Sequence, residues 1–262
     1  MSEPSSVSFD RAAEYYDRTR LTDEASIGAT LDLLEGEFRD RGRVLEIGVG
    51  TGALALPLAA RGIPVTGIDL ALPMMRKLIE KASDRSPVFL AQADATLLPF
   101  RDASFAGAYA RWVLHLIPGW RGAVSELCRV LAPGGTVIIE PGGYRGRWTA
   151  VMARVMQEIG PSAGPVGLDS RAGFDRLDEA FAASGAVQRN LPEIMMPGEG
   201  SSLAEFFEEA TGKVYSWTWK VPDDELRRGL DRVREWAAEK FGDLDAPFTH
   251  DVPMAWRAYD LP

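Results

Sequence analysis

The amino-acid sequence predicts an α/β fold in which a mostly parallel β-sheet carries helices on both faces. Between Val44 and Glu140, short apolar runs typical of buried strands alternate five times with patterns typical of helices. The first of these runs ends in a glycine-rich turn of the kind that joins a strand to a helix. The chain has 262 residues and 46% hydrophobic content, so it can bury a sizeable core.

The segment before the first strand, from Phe9 to Phe38, is predicted to be helical. Within it, Ile27, Leu31 and Leu34 recur at helical spacing and share one face with Phe38. We expect this apolar face to pack on the sheet.

The glycine-rich turn lies in the stretch Val44-Leu-Glu-Ile-Gly-Val-Gly-Thr-Gly52. Its apolar residues suit a buried parallel strand, and its glycines at 48, 50 and 52 allow positive φ and close approach to a ligand. Residues 53–60 predict a following helix whose N-terminal amides face that ligand. The turn therefore predicts a nucleotide-cofactor loop.

Two cofactor classes fit the glycine spacing. With Ala53, the first two glycines match the dinucleotide pattern G-x-G-x-x-A, and Asp69 follows the first glycine by about 20 residues, as that pattern requires. With Gly52 instead, they give E-x-G-x-G-x-G, where the acid is Glu46. A carboxylate there would repel a pyrophosphate but could face the cationic amino-acid and sulfonium end of S-adenosylmethionine. The spacing alone leaves both classes open.

Further motifs follow in order at strand and helix spacings. Val65-Thr-Gly-Ile-Asp69 predicts a second strand that ends in an acid, and 92–100 contains a third acid, Asp94. Residues 104–109 predict the fourth strand, and 126–135 ends in R-V-L-A-P-G-G before the fifth. This succession resembles the class I S-adenosylmethionine-dependent methyltransferases, in particular the small-molecule group called type 11.

The resemblance implies a Rossmann-like, seven-stranded, mostly parallel sheet with a small helical and aromatic cap. Its last strand would be antiparallel and inserted between the fifth and sixth. We expect an N-terminal helical arm over the cofactor site in residues 1–40 and an S-adenosylmethionine-binding core in 41–140. Residues 141–262 would supply substrate-cap insertions and the closing strands of the same domain.

The resemblance also implies which residues bind the cofactor. Asp69 would accept hydrogen bonds from both ribose hydroxyls, Asp94 and Ala95 would contact the adenine, and Leu98 to Phe100 would wall its ring. The arm would close the methionine end with a tyrosine and Arg20. The predicted cofactor-binding residues are Tyr15, Arg20, Glu46, Gly48, Gly50, Gly52, Asp69, Leu70, Met74, Asp94, Ala95 and Arg111.

Three residues are candidates for catalysis. His115, just after the fourth strand, could act as a base or orienting group, although its setting between Leu114 and Leu116 also suits a packed histidine. Arg111 could pair with a carboxylate or form a surface ion pair, and Tyr16 could act at the cofactor or only pack the arm.

The C-terminal part of the sequence predicts a further set of elements. Helices are expected at 148–159 and 171–184, a loop at 161–167, a sixth strand at 186–191, a capping box at Ser202 with Glu205, a helix from Pro222 to Phe241 and a partly exposed strand from Val252 to Ala258. Aromatic residues in these insertions suit a planar or apolar acceptor: Tyr144, Trp148, Tyr215, Trp217 and Trp219. The alternative for Trp217 and Trp219, which we favour slightly, is a strand face packed on the core.

Composition excludes several functions. The net charge is −9 without clustered Lys or Arg, which argues against a nucleic-acid surface. Cys128 is the only cysteine and there are two histidines, so we predict no disulfide and no metal site. The N-terminus has no apolar signal segment and no run reaches the ~18 residues of a membrane span, so we expect a cytoplasmic protein without a membrane partner.

The sequence thus predicts an enzyme that transfers a methyl group from S-adenosylmethionine to a small metabolite or natural product by in-line displacement, releasing S-adenosylhomocysteine. One alternative is an NAD(P)-dependent oxidoreductase with the same loop, although no Tyr-x-x-x-Lys constellation is present. The other is a non-catalytic S-adenosylmethionine-binding protein. The acceptor, the methylated atom, and the choice between monomer and homodimer stay open.

Overall fold

A computed structural model describes residues 6–20, 24–82, 88–143, 146–169, 174–197 and 200–262. Its contacts divide the chain into two compact units. The first unit comprises Met1–Gly142, Val166–Met195 and Pro253–Pro262, and the second comprises Gly143–Pro165 and Met196–Val252. The division into arm, core and cap that the sequence suggested stays a prediction. Within the described residues, no helix is both long enough and apolar enough to cross a membrane.

A seven-stranded sheet forms the centre of the first unit. The strands of the chain are β1 (Val44–Ile47), β2 (Val65–Asp69), β3 (Phe89–Gln92), β4 (Phe105–Arg111), β5 (Leu131–Glu140), β6 (Val187–Asn190), β7 (Ile194–Met196), β8 (Val252–Met254) and β9 (Arg257–Asp260). The sheet order is β3-β2-β1-β4-β5-β9-β6, while β7 and β8 pair separately. All pairs from β3 to β5 are parallel, and β9 is antiparallel to both β5 and β6. The predicted sheet and the position of its antiparallel strand are confirmed.

Helices of the first unit connect its strands and pack on both faces of the sheet: α1 (Tyr16–Arg20), α2 (Glu24–Phe38), α3 (Ala55–Ala60), α4 (Leu72–Lys81), α5 (Trp120–Val130) and α7 (Asp175–Ala182). The helices described in the second unit are α6 (Arg147–Ile159), α8 (Leu203–Thr211) and α9 (Asp223–Phe241). Leu45 and Ile47 of β1 pack in one cluster with residues of α5 and α7. On the other face, Phe38 of α2 lies 6.1 Å from Tyr109 of β4, measured between ring centroids.

The segment from Phe9 to Phe38, which was predicted to be helical, is not one continuous helix. A 3-10 turn at Asp10–Ala12 and the short α1 precede α2, which begins at Glu24; residues 21–23 lie outside the described part of the chain. The apolar stripe explains the difference, because it starts only at Ile27 and leaves the preceding residues without a continuous face to pack. The helix predicted at 53–60 also starts later, at Ala55.

The closing strand also differs from the prediction. Instead of one partly exposed strand, β8 and β9 are separated at residues 255–256, and Met254, Trp256 and Ala258 are all buried. The alternation of apolar residues continues through a change of pairing partner, which the period-2 pattern alone does not reveal. The helix predicted at 171–184 is described from Asp175, and residues 170–173 lie outside the described part.

The second unit is helical and has its own core. Leu226, Leu230 and Val233 of α9 are buried as predicted, among residues of α6 and α8. The predicted capping box is present, because Ser202 Oγ accepts from the Glu205 N–H and the Glu205 carboxylate accepts from the Ser202 N–H. An aromatic cluster packs within this unit: Trp148, Phe206, Tyr215, Trp217 and Phe248. Tyr144 lies outside the described residues.

Candidate active site

A pocket opens at the carboxyl ends of four adjacent strands of the first unit, β3, β2, β1 and β4. It encloses about 660 Å³, part of it open to solvent. Its walls come from the residues that follow each strand and from the N-terminal segment. Ligands of open parallel sheets bind at this edge, because the strand-to-helix turns there converge on one crevice. This pocket is therefore the candidate active site.

The glycine turn after β1 forms the floor of this pocket. Gly48 and Gly50 line it and have φ of +72° and +53°, values that residues with a side chain rarely adopt. A Cβ on Gly48 would lie 2.7 Å from Cγ2 of Val113, so this position has no room for a side chain. Gly52, with φ of +82°, turns away from the pocket and packs against Leu78. The first two glycines thus leave bare backbone facing the pocket, as a closely approaching ligand requires.

Asp69, at the end of β2, connects the glycine turn to the start of α4. Its Oδ2 accepts a hydrogen bond of 2.8 Å from the Gly50 N–H, and its Oδ1 accepts one of 2.8 Å from the Ala71 N–H. Burial raises the pKa of this carboxyl, while the backbone N–H groups oppose the shift. A carboxylate has about four lone-pair positions. Asp69 therefore retains acceptor capacity toward the pocket, which it lines.

Glu46 lies behind the turn and forms a buried pair with a residue that sequence analysis did not single out. The hydroxyl of Tyr109, on the neighbouring strand β4, donates a hydrogen bond of 2.8 Å to Glu46 Oε2. Burial raises the pKa of Glu46 to about 8, and the hydrogen bond from Tyr109 opposes that shift. Asp69 raises the pKa further and Arg111 lowers it. Glu46 is 5% exposed and is not among the residues that line the pocket.

Part of the N-terminal segment lines the pocket, through Ser6, Val7, Phe9 and Tyr16. From here on, the arm means residues 6–20 of the N-terminal region 1–40 that was predicted to lie over the cofactor site. Ser6 Oγ donates to Asp94 Oδ2 over 3.3 Å, and the Val7 N–H donates to the carbonyl of Leu116 over 3.0 Å. Asp94 Oδ1 also accepts hydrogen bonds from the N–H and hydroxyl of Thr96. These bonds join the arm to the turn after β3 and to the chain that follows β4.

A second contact joins the other end of the arm to the glycine turn. Asp17 accepts a hydrogen bond of 2.6 Å from the Thr51 hydroxyl and pairs with Lys81 of α4 at 2.7 Å. Tyr16 lines the pocket beside Phe9, whereas Tyr15 does not, and its buried hydroxyl has no hydrogen-bond partner among the described residues.

The chain that leaves β4 supplies a further part of the pocket wall, next to the glycine turn. Arg111, Trp112 and Val113 line the pocket, and the Arg111 guanidinium lies 4.1 Å from the centroid of the Trp112 ring. Trp112 has φ of +55°, an unusual conformation for a residue with a side chain. Such strain often accompanies a functional site, because the surrounding structure must hold it in place.

His115 lies three residues further on, in a 3-10 turn at Leu114–Leu116. Its Nδ1 is buried and has no hydrogen-bond partner among the described residues. Burial lowers the pKa of its imidazole to about 4, so the ring is neutral at pH 7. His115 is not among the residues that line the pocket; it faces Gly142, beyond the end of β5.

The pocket brings together most of the predicted site residues. Those that line it are Tyr16, Gly48, Gly50, Asp69, Leu70, Met74, Asp94, Ala95 and Arg111. Four predicted residues do not line the pocket: Tyr15, Glu46, Gly52 and His115. Two residues expected beside the adenine pack elsewhere, Leu98 in the core cluster and Phe100 against it. The Arg20 side chain lies outside the described part of the structure. The lining residues that were not predicted as site residues are Ser6, Val7, Phe9, Ile47, Ile68, Ala93, Trp112, Val113, Leu116 and Ile117.

The polar groups at this pocket are suited to an organic ligand. Across the described ranges, no group of three or more His, Cys, Asp or Glu side chains is arranged to hold a metal ion. The polar groups that face the pocket are carboxylates, backbone amides and a guanidinium, which suit hydroxyl, amino and carboxylate groups of an organic ligand.

Comparisons with known proteins agree with this architecture. Residues 45–139 match the family described as "Methyltransferase domain". Over 166 residues, the chain is 35% identical to a demethylmenaquinone methyltransferase from Thermus thermophilus, covering 62% of this chain and 74% of that protein. Over 101 residues, it is 43% identical to a phosphatidylethanolamine N-methyltransferase from Cereibacter sphaeroides.

This second alignment covers 37% of the chain and spans about half of the relative's length, 49%. Among solved structures, the YcgJ protein from Bacillus subtilis superposes with a TM-score of 0.62 at 19% identity. That superposition covers 90% of this chain and 97% of the other, and at this identity it supports the fold alone.

Proposed function

Because this chain belongs to the class I S-adenosylmethionine-dependent methyltransferases, we propose that its pocket binds S-adenosylmethionine and transfers the methyl group to a small-molecule acceptor. The observation that carries the proposal is Asp69, which lines the pocket while both of its carboxylate oxygens are held by backbone N–H groups. A carboxylate fixed in this way is oriented to accept from two vicinal hydroxyls of a ribose.

The other pocket residues fit the rest of this cofactor. Gly48 and Gly50 line the pocket without side chains, which suits close approach of its methionine part, and Arg111 offers a cation for the methionine carboxylate. Asp94 and Ala95 line the pocket and would contact the adenine, whose amino group could donate to the Asp94 carboxylate. Glu46 lies behind the glycine turn and does not line the pocket. When Glu46 is ionised, its negative charge would stabilise the positively charged groups of the bound cofactor.

The proteins named in the comparison act on different acceptors. One name specifies phosphatidylethanolamine and another demethylmenaquinone, so similarity does not select an acceptor for this chain. The shared chemistry is methyl transfer to a molecule other than nucleic acid. We extend that class, and no particular acceptor, to this protein.

The mechanism that we propose depends on positioning. When bound, S-adenosylmethionine supplies a methyl group activated by a positively charged sulfur. The residues of this chain would fix the donor through Asp69 and the glycine turn, and the arm would exclude water from the pocket. Trp112 and Val113 form the wall from which an acceptor could approach. No protein nucleophile is required for this reaction.

Equilibrium binding of S-adenosylhomocysteine to the wild type and to Asp69→Ala tests the proposal. Loss of the hydroxyl hydrogen bonds should weaken binding by at least ~1 kcal/mol, about fivefold. Asp102→Ala is the matched control, since Asp102 is exposed and pairs with Arg129 away from the pocket. Equal affinities for all three proteins would show that Asp69 does not bind the cofactor.

A further inference from the structure

The loop between β3 and β4 depends on other parts of the chain for its position. This β3–β4 loop, residues 93–104, contains no helix and no strand. Asp94 and Ala95 in the loop line the pocket, whereas the side chain of Leu98 is buried in the core cluster. Main-chain groups outside helices and strands need hydrogen-bond partners elsewhere. The contacts that supply those partners therefore determine where Asp94 lies.

One face of α5 contacts this loop. The α5 face consists of residues at helical spacing, with Gly119 as the N-cap of the helix: Gly119, Gly122, Glu126 and Arg129. A Cβ built on Gly119 would lie 3.3 Å from Cγ2 of Thr96, and one built on Gly122 would lie 3.7 Å from Cβ of Thr96. The Thr96 side chain therefore packs where α5 carries no side chain of its own.

Glu126 and Arg129 hold the main chain of the loop. The Arg129 guanidinium donates hydrogen bonds of 2.8 Å and 2.7 Å to the two carboxylate oxygens of Glu126, an arrangement that fixes the orientation of both groups. It also donates to the main-chain carbonyls of Phe100, over 2.8 Å, and Leu98, over 3.1 Å. Glu126 Oε2 accepts a hydrogen bond of 2.7 Å from the Leu98 N–H. Because these bonds end on main-chain atoms, they fix the path of the loop.

Asp102 also pairs with Arg129, at 2.7 Å, but its side chain is 78% exposed. Such an exposed pair contributes little, because solvent screens it. The Glu126 side chain is 17% exposed, and hydrogen bonds from Arg129 lower the pKa of its carboxyl, so it is ionised at pH 7. The loop is therefore held by Glu126 and by the main-chain contacts of Arg129, without a need for Asp102.

Thr96 connects the α5 face to the Asp94 carboxylate. Its N–H and its hydroxyl each donate a hydrogen bond of 2.8 Å to Asp94 Oδ1. The other oxygen, Oδ2, accepts a longer hydrogen bond of 3.3 Å from the Ser6 hydroxyl. A carboxylate oxygen can accept more than one hydrogen bond, so Oδ2 keeps capacity for a ligand. The α5 face thus orients a pocket carboxylate, although none of its own residues lines the pocket.

We propose that Glu126 and Arg129 are positioning residues for base selection, because they hold the β3–β4 loop where Asp94 can distinguish the amino group of adenine from other groups. The inference rests on the proposed function. A carboxylate accepts a hydrogen bond from an amino group, whereas it repels a carbonyl oxygen at the same place. A hydrogen bond weakens steeply when its distance or angle is wrong, so a small displacement of the loop reduces this discrimination.

Calorimetric binding of S-adenosylhomocysteine and of S-inosylhomocysteine to the same protein tests the proposal. The second compound carries hypoxanthine, in which a carbonyl oxygen replaces the amino group of adenine. The wild type should bind the adenine compound at least about tenfold more tightly, as expected for a hydrogen bond to a charged group. Arg129→Ala and Glu126→Ala should each reduce this preference about fivefold, because Asp94 no longer aligns with the amino group.

The base preference distinguishes a positioning role from a purely structural one. A variant that is only less stable has a smaller folded fraction, which weakens the apparent affinity for both compounds by the same factor and leaves their ratio unchanged. Arg189→Ala is the matched control. Arg189 also pairs with two carboxylates, those of Glu37 and Asp260, and none of these residues lines the pocket. This variant should keep the wild-type preference.

A double variant tests whether Arg129 acts through Asp94. Asp94→Ala should lower the base preference by itself, because the discriminating carboxylate is lost. When Arg129→Ala is added to it, the preference should decrease no further, since the two changes affect one interaction. A further decrease as large as that caused by Arg129→Ala alone would show that Arg129 does not act through Asp94, and it would overturn the proposal.

The same titrations separate this proposal from the proposed function. If the wild type binds neither compound, the proposed function fails. If the wild type binds S-adenosylhomocysteine but shows no base preference, the positioning role alone is overturned. It is also overturned if either Arg129→Ala or Glu126→Ala keeps the wild-type preference, or if Arg189→Ala reduces the preference as much as Arg129→Ala does.

Discussion

The hydroxyl of Tyr109 donates a 2.8 Å hydrogen bond to Oε2 of Glu46 inside the sheet. Two neighbouring parallel strands place the pair, since Glu46 and Tyr109 are register partners on β1 and β4. Burial raises the pKa of both groups, that of Glu46 to about 8. A carboxyl that is largely protonated at pH 7 therefore lies directly behind the glycine turn.

The first prediction concerns the pH dependence of folding stability. Because the pKa of Glu46 rises from 4.5 to about 8 on folding, the folded state holds a proton that the unfolded state releases above pH 4.5. The contribution of Glu46 to the free energy of unfolding is thus greatest below pH 4.5. It decreases by on the order of a few kcal/mol as the pH rises to about 8. Urea unfolding at pH 5 and pH 8 measures this change.

Glu46→Gln is the control for this measurement, because glutamine keeps an acceptor for Tyr109 and does not titrate. The loss of stability between the two pH values should be smaller in this variant than in the wild type. Identical pH dependence in the two proteins would show that Glu46 is not buried with a raised pKa.

The second prediction concerns cofactor affinity and Tyr109. If ionised Glu46 favours the positive charges of S-adenosylmethionine, affinity should increase as pH rises through about 8. Tyr109→Phe removes a hydrogen bond that stabilises the carboxylate, so the pKa of Glu46 increases and the affinity rise moves to higher pH. Calorimetry across this pH range measures it. The rise should be absent in Glu46→Gln, and its persistence there would assign it to another group.

The third prediction compares alanine at two glycines with nearly equal φ, Gly48 at +72° and Gly134 at +73°. A Cβ on Gly134 has nothing within 4 Å, whereas one on Gly48 would lie 2.7 Å from Val113. The strain of a side chain at positive φ should lower the free energy of unfolding of both variants by ~1–2 kcal/mol. Overpacking against Val113 should lower that of Gly48→Ala by a further ~1–3 kcal/mol. Chemical denaturation measures the difference. Only Gly48→Ala should also lose S-adenosylhomocysteine binding, so equal binding by both variants would contradict the cofactor role of the turn.

The fourth prediction concerns the arm. Asp17 joins it to Thr51 and Lys81, so Asp17→Ala should release this end and speed the dissociation of S-adenosylhomocysteine, about fivefold for one lost hydrogen bond. Stopped-flow displacement measures the rate. Asp32→Ala is the control, because exposed Asp32 pairs with Arg61 and does not contact the arm. An unchanged rate in Asp17→Ala would show that this contact does not retain the ligand.

The fifth prediction concerns the second unit. Ser202→Ala removes the cap of α8 and should lower the free energy of unfolding by ~1 kcal/mol. Ser202→Asp restores an acceptor for the Glu205 N–H and should recover most of that loss. Thermal unfolding of the three proteins tests this, and equal stability would assign no energetic role to the capping box.

The sequence predicted the strand-end residues of the pocket because their positions follow from local pattern. An apolar run that ends in glycine or aspartate, as at Gly48, Asp69 and Asp94, places those residues at one edge of a parallel sheet. The alternation of apolar runs and helical patterns likewise predicted the parallel part of the sheet. The position of the antiparallel strand came from the family resemblance and not from local pattern.

Residues that depend on long-range contacts were not predicted. Ser6 and Val7 reach the pocket through hydrogen bonds to Asp94 and Leu116, about a hundred positions away in the chain, and no local pattern encodes those bonds. The positive φ of Trp112 likewise has no signal such as a glycine. Tyr109 was assigned to its strand, but its hydrogen bond to Glu46 depends on the register between two strands.

Calorimetric titration of the wild-type protein with S-adenosylmethionine, S-adenosylhomocysteine and NADH, in parallel, tests the central claim most directly. We predict that the first two bind at a single site with dissociation constants on the order of micromolar and that NADH does not bind. Binding of NADH without binding of either sulfur compound would contradict the assignment of this pocket to methyl transfer.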